Sequence, residues 1–135
     1  MGIETTVETA PQLLLLVEDD AFLRCYVEEA LSEQGFQLIV CEDGRKAIRE
    51  LEQNCSRFSA VVTDIRLGRG PDGWEVARRA RELVPAVAIV YMTGDSAAQW
   101  AAHGVPESIL IQKPFAQIQL TTALATQLNQ QGMAL

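Results

Sequence analysis

The chain has 135 residues, 48% of them hydrophobic, a formal net charge of -7 and a pI near 4.6, which suits one domain with an ordinary core and leaves no room for a second. The acidic balance excludes sequence-independent nucleic-acid binding, which rests on Lys and Arg neutralising phosphates, and it disfavours anionic membranes. Cys25, Cys41 and Cys55 contain no CxxC pair and are odd in number, and His103 is the single histidine, so the residues argue for reduced thiols in the cytoplasm and against a disulfide frame, a zinc site or a multi-histidine centre. No apolar run is long enough to span a bilayer. The opening "MGIETTVETAPQ" has neither a basic nor an apolar signal region. Residues 1–11 are expected to be a disordered tail, and the myristoylation-like pattern through Gly2 and Thr6 a chance match.

In chain order, Leu13–Val17 is a short apolar run between Pro11 and the acids Glu18, Asp19 and Asp20, which predicts a strand buried on both faces. Helical spacing follows over residues 21–34, with Leu23, Val27, Ala30 and Leu31 on one stripe and Gly35 as the stop. Phe36–Cys41 reads as a second strand. Residues 42–54 read as a second helix, with Asp43 near its start and Ala47, Ile48 and Leu51 facing inward. Phe58–Asp64 is a third strand, again ending in an acid, and Gly68–Pro71 is a loop. Gly73–Val84 predicts a helix with Val76, Ala77, Ala80 and Leu83 inside, the arginines 78, 79 and 81 on a solvated face, and Pro85 beyond its end. Ala86–Thr93 is a fourth strand ending in a hydroxyl. The small-residue stretch 94–104 is a weak, short helix, Ser108–Pro114 a fifth strand ending in Lys113, and residues 116–129 a last helix with Leu120, Leu124 and Leu128 at four-residue steps.

Strands alternating with helices imply a parallel sheet covered on both faces. With right-handed crossovers, five strands fit the α/β doubly wound, flavodoxin-like order 2-1-3-4-5, whose ligand site lies beyond the carboxyl ends of the strands. The sequence sends Glu18, Asp19 and Asp20, then Asp64, then Thr93 and Gly94, then Lys113 to those ends. Two carboxylates about 4 Å apart repel by roughly 4 kcal/mol at an effective dielectric near 20, so such a cluster needs a cation or must take up protons. Oxygen donors without His or Cys select Mg²⁺ or a similar hard ion such as Mn²⁺. An Asp beside such an ion suits a nucleophile forming an aspartyl-phosphate, with Lys113 neutralising the transferring group and Thr93 bonding its oxygen. Asp20, ahead of Ala21 and Phe22, fits a helix start rather than a ligand.

On "LLLLVEDD", "VVTDIRLGRGPDGWEVA", "IVYMTGD" and "LIQKPF", the chain resembles the receiver domains of bacterial two-component response regulators, of CheY-like type, over roughly residues 12–130. Asp64 lies 45 residues after Asp19, Thr93 29 after Asp64 and Lys113 20 after Thr93, separations close to the family's, the last a little short. The resemblance implies Asp64 as phosphoacceptor, Asp19 as direct Mg²⁺ ligand with Glu18 acting mainly through water, and the Arg66 carbonyl and Asp64 as further ligands. It implies Thr93, with Gly94, and Lys113 as the phosphoryl-binding and switch groups, and a cis bond before Pro114. One departure stands out: Leu110 occupies the position, three before the lysine, where the family often carries a switch aromatic. Tyr91 is aromatic, but it lies on strand four and is not that residue's equivalent. Trp74 reads as packing, Trp100 as a partner-contact candidate and His103 as a surface residue.

Two function classes compete with a phosphorylation-dependent signalling module. A Mg²⁺-dependent phosphatase or phosphotransferase on small substrates would use the same groups. However, the haloacid-dehalogenase pattern requires a DxD, and Asp64-Ile65-Arg66 lacks the second Asp. A phosphorylation-independent interaction domain would not need the acceptor, acids and lysine that are all present. The expectation is therefore a stand-alone, single-domain response regulator rather than an enzyme. It would be a monomer or weak homodimer, phosphorylated by a histidine kinase or histidine phosphotransfer protein and signalling through protein contacts, with residues 131–135 a C-terminal tail.

Overall fold

Leucine at four successive positions can be buried only if both sides of a strand are covered, and all five residues of β1 (Leu13–Val17) are buried. Leu13, Leu15 and Val17 enter one core, and Leu14 and Leu16 enter the other. The computed structural model describes residues 11–133; residues 1–10 of the expected N-terminal tail, Gly2 included, and residues 134–135 of the expected C-terminal tail lie outside them. After β1 come α1 (Ala21–Glu33), β2 (Gln37–Cys41), α2 (Gly44–Asn54), β3 (Phe58–Asp64), α3 (Gly73–Leu83), β4 (Ala88–Thr93), α4 (Trp100–His103), β5 (Ile109–Gln112) and α5 (Gln117–Gln130), with short 3₁₀ turns at Cys55–Arg57 and Ala97–Gln99. The five strands form one sheet in the order β2-β1-β3-β4-β5, and every neighbouring pair is parallel. This is the doubly wound order that the alternation predicts.

The apolar stripes of α2 and α3 cover one face of the sheet through Ala47, Leu51, Trp74, Val76, Ala77 and Ala80. Those of α1 and α5 cover the other through Val27, Leu31, Leu120, Leu124 and Leu128. Strands β1, β3 and β4 are therefore buried almost throughout, while β2 and β5, at the edges, are half-buried. The four longer helices are each opened or closed by identifiable chemistry. Asp20 Oδ1 accepts from the Phe22 and Leu23 amides at 2.9 and 3.0 Å and so caps α1. Asp43 caps α2 through the Lys46 amide at 2.8 Å. Asp72 and Glu75 form a reciprocal capping box on α3. At the end of α5, Gly132 takes φ +71°, and the Met133 amide donates to Leu128 O at 2.8 Å. This is a Schellman closure that draws residues 131–133 onto the helix.

Several element boundaries shift by a residue or two, among them the starts of β4 and β5. β4 starts at Ala88, not Ala86, because the Val87 amide donates to Val84 O at 3.0 Å and prolongs the turn after α3. β5 spans Ile109–Gln112 rather than Ser108–Pro114, and the Ser108 hydroxyl donates to Val105 O at 2.7 Å in the loop before it. Arg81 is also no part of a solvated face. Its guanidinium donates to Val87 O (2.7 Å), Pro106 O (2.5 Å), Glu107 O (2.9 Å) and Gln127 Oε1 (3.3 Å), tying α3 to the loop before β5 and to α5.

Candidate functional site

β1, β3 and β5 end at one edge of the sheet, and each delivers an ionisable side chain there. The Glu18 amide donates to Cys41 O at 3.1 Å and keeps the chain on the sheet edge for one residue past β1. That leaves the Glu18 side chain fully buried, with Asp19 exposed beyond it. Glu18 Oε2 accepts from the Asp20 amide at 3.1 Å. Arg24 reaches back from α1 and donates to Glu18 O at 3.0 Å and Asp19 O at 3.4 Å, fixing the backbone that carries both acids. Asp64, the last residue of β3, is 6% exposed. Its Oδ1 accepts from the Ile65 amide at 2.9 Å, while Oδ2 faces Lys113 Nζ at 3.2 Å.

One carboxylate oxygen from each of Glu18, Asp19 and Asp64 lies within 4.8 Å of the others, and Lys113 is the nearest counter-charge, 3.4 Å from Glu18 Oε1. That oxygen is buried and hydrogen-bonds to nothing among the described residues; the lysine contact is an ion pair without hydrogen-bond geometry. Burial, with the Asp64 charge adding to it, pushes the Glu18 carboxyl up to about 7 against the pull of the Asp20 amide and Lys113. Burial likewise raises Asp64, opposed first by Lys113 and then by the Ile65 amide. For Lys113, burial works to lower the pKa, but Asp64 and Glu18 outweigh it and hold the ammonium above its ordinary value. Three carboxylates and one lysine thus share a site with negative charge in excess. An orphaned buried carboxylate oxygen beside two more, with no nitrogen or sulfur donor in the cluster, is a donor set fitted to a hard divalent cation.

The remaining expected residues gather on the same edge. Thr93 ends β4, is 1% exposed, and its Oγ1 accepts from the Asp95 and Ser96 amides at 3.2 and 2.8 Å. Gly94 follows it, exposed. The Lys113 amide donates to Thr93 O at 2.7 Å, and the Lys113–Pro114 peptide is cis. Arg66, on the loop after β3, is exposed and pairs with Asp95 at 3.0 Å, a contact worth little in water. Leu110 is half-buried against the α2–α3 core and is the register partner of Tyr91. Asp20 serves the α1 start and is absent from the acidic cluster.

Sequence reasoning missed two contributions. Gly73 is required where it stands: a Cβ there would lie 2.1 Å from Asp64 O, so α3 begins in direct contact with the Asp64 backbone. Arg24 gave no signal beyond lying off the apolar stripe. The loops after β3 and β4 also enclose a cleft of about 410 Å³ lined by Ile65, Arg66, Asp72, Trp74, Ser96 and Gln99. Neither the acids of the cluster nor Lys113 lines it.

Comparison with known proteins gives one consistent picture. The family model described as "Response regulator receiver domain" matches residues 14–125. The response regulator receiver protein CpdR of Brucella abortus (strain 2308) is 36% identical over 84 residues, which are 62% of this chain and 68% of that protein. The transcriptional regulatory protein AfsQ1 of Streptomyces coelicolor is 41% identical over 71 residues, covering 50% of this chain but 29% of that longer protein. Among solved structures, a response regulator receiver protein from Sinorhizobium medicae WSM419 superposes with a TM-score of 0.86 at 43% identity, covering 90% of this chain and 97% of that one. The receiver domain of a sensor histidine kinase from Pseudomonas aeruginosa PAO1, described with a magnesium ion coordinated in its active site cleft, has a TM-score of 0.76 at 26% identity, covering 89% and 99%.

Proposed function

The chain belongs to the response regulator receiver domain family of two-component signalling, and from that membership we propose that Asp64 accepts a phosphoryl group in a Mg²⁺-dependent reaction and that the protein signals through altered protein contacts. One observation carries the reading. The fully buried Glu18 Oε1 lacks a hydrogen-bond partner within a cluster that also holds Asp19, Asp64 and Lys113. A protein that needed this edge only for folding would gain by losing that oxygen.

In this reading an Asp64 carboxylate oxygen attacks the phosphorus of a partner's phosphohistidine. The new P–O bond forms as the P–N bond breaks, and the imidazole departs as the leaving group. Lys113, already beside Oδ2, keeps a fixed positive charge against the incoming oxygens. The Thr93 hydroxyl accepts from two amides and still has its own proton to give to a phosphoryl oxygen. Asp19 directly, Glu18 through water, Asp64 and the Arg66 carbonyl would hold Mg²⁺ or Mn²⁺, which supplies charge neutralisation on the transferring group. Residues 12–130 are the receiver domain in this account. The donor is a histidine kinase or phosphotransfer protein in the cytoplasm, and turnover is limited to the chain's own phosphorylation and dephosphorylation.

The test is intact-mass measurement after incubation with acetyl phosphate, with and without Mg²⁺. One phosphoryl adduct is expected, dependent on Mg²⁺, absent in Asp64→Asn and weakened in Asp19→Asn. An adduct that persists in Asp64→Asn overturns the assignment, and steady turnover of a generic phosphate ester would favour the phosphatase reading.

A further inference from the structure

Two side chains of β4, two residues apart, hold opposite ends of one segment. Thr93 Oγ1 accepts from the Asp95 and Ser96 amides at its start. The Tyr91 hydroxyl accepts from the Val105 amide, at 3.1 Å, at its end. Both side chains are buried, Tyr91 completely. Between them lie the 3₁₀ turn Ala97–Gln99 and the four-residue α4, neither with a side-chain cap or a buried residue. A helix this short cannot sustain itself, so β4 provides its fixed points.

Tyr91 also connects back to Asp64. Its ring meets Trp74 edge-on, with centroids 4.8 Å apart, and Trp74 in turn faces the His103 ring at 6.0 Å. Trp74 follows Gly73, whose amide donates to Ile65 O at 2.8 Å and whose Cα is seated against Asp64 O. The beginning of α3, the phosphoacceptor backbone and the far end of α4 therefore share one aromatic junction. Leu110, beside Tyr91 on β5, contributes only apolar contact.

We propose that Tyr91 is a positioning residue: its hydroxyl pins the trailing end of segment 95–105 at Val105, so that when Thr93 turns its proton to a phosphoryl group on Asp64 and draws the leading end with it, the segment pivots about Val105. This rests on the phosphoacceptor reading above. It assigns the anchor to a residue that the usual switch position, here Leu110, does not include.

The test is residue-resolved amide hydrogen exchange on the full chain, with and without Mg²⁺ and beryllofluoride, for the wild type, Tyr91→Phe and Leu110→Ala. Adduct formation by acetyl phosphate is followed in parallel. In the absence of ligand, Tyr91→Phe is expected to speed exchange at Val105 roughly tenfold, the loss of about one hydrogen bond. In the wild type, beryllofluoride is expected to alter exchange at Asp95 and Ser96 while Val105 stays protected. In Tyr91→Phe the change should spread to Val105, with the mass adduct retained, and Leu110→Ala should keep the wild-type pattern. Equal Val105 exchange in wild type and Tyr91→Phe, or loss of the response in Leu110→Ala alone, overturns the role of Tyr91. A wild type that forms no adduct and shows no exchange response overturns the phosphoacceptor reading instead.

Discussion

Helices α3 and α4 lie on consecutive crossovers, from β3 to β4 and from β4 to β5, yet they are held by opposite means. α3 has eleven residues, a reciprocal capping box and five buried residues, including Trp74, Val76 and Ala80. α4 has four residues, no side-chain cap and nothing buried. Its neighbourhood is secured by Thr93 and Tyr91 of β4 and by its own first residue, Trp100, whose indole donates to Ser108 Oγ at 3.0 Å. A helix that owns a stripe and a cap is part of the core it covers. A helix that owns neither takes its position from whatever holds its ends, and its local stability is correspondingly low.

The two tryptophans give the sharpest test of this contrast. Trp74→Ala should cost about 3–5 kcal/mol in denaturant unfolding, because it empties a buried site against Tyr91. A loss below about 1 kcal/mol would show that α3 is no better fixed than α4. Next in size is the buried carboxylate at the sheet edge. In metal-free buffer Glu18, raised to about 7 by burial, holds a proton in the folded state that the unfolded chain has already released. Its contribution to stability is therefore greatest below the unfolded carboxylate range and is lost as pH rises through about 7. Glu18→Gln should remove that slope and raise stability at pH 8 by about 2–4 kcal/mol relative to wild type. A wild-type curve flat between pH 5 and 8 would argue that the buried carboxylate is not strained.

Asp72→Ala should cost about 1 kcal/mol by removing the α3 cap, seen as a shift in denaturation midpoint without a change in slope. The smallest effect belongs to Trp100→Ala. This residue is 38% exposed, and its loss should cost under about 1 kcal/mol while speeding amide exchange around Ser108. If Trp100→Ala proved as damaging as Trp74→Ala, the contrast between the helices would fail.

Much of this was legible in the residues themselves. The unbroken run Leu13–Val17 announced a central strand, because no half-covered strand can hide every side chain. The carboxyl-end positions of Asp64, Thr93 and Lys113 followed once strands alternated with helices. Asp20 as a cap was readable from its place before the α1 stripe. Arg81 is not: its place on the helix gives no sign of the carbonyls of residues 87, 106 and 107 that it meets.

By itself the sequence determined the fold class and which acids, hydroxyl and lysine stand at strand ends, because hydrophobic period and strand ends are local properties of the chain. Only the tertiary structure decided that Glu18 is buried with an unsatisfied oxygen while its neighbour Asp19 is exposed, that Gly73 must lack a side chain to let α3 rest on Asp64, and that Tyr91 reaches the amide of Val105. Burial, close approach and partnership depend on which distant segments arrive at the same point, and no pattern within one segment encodes that.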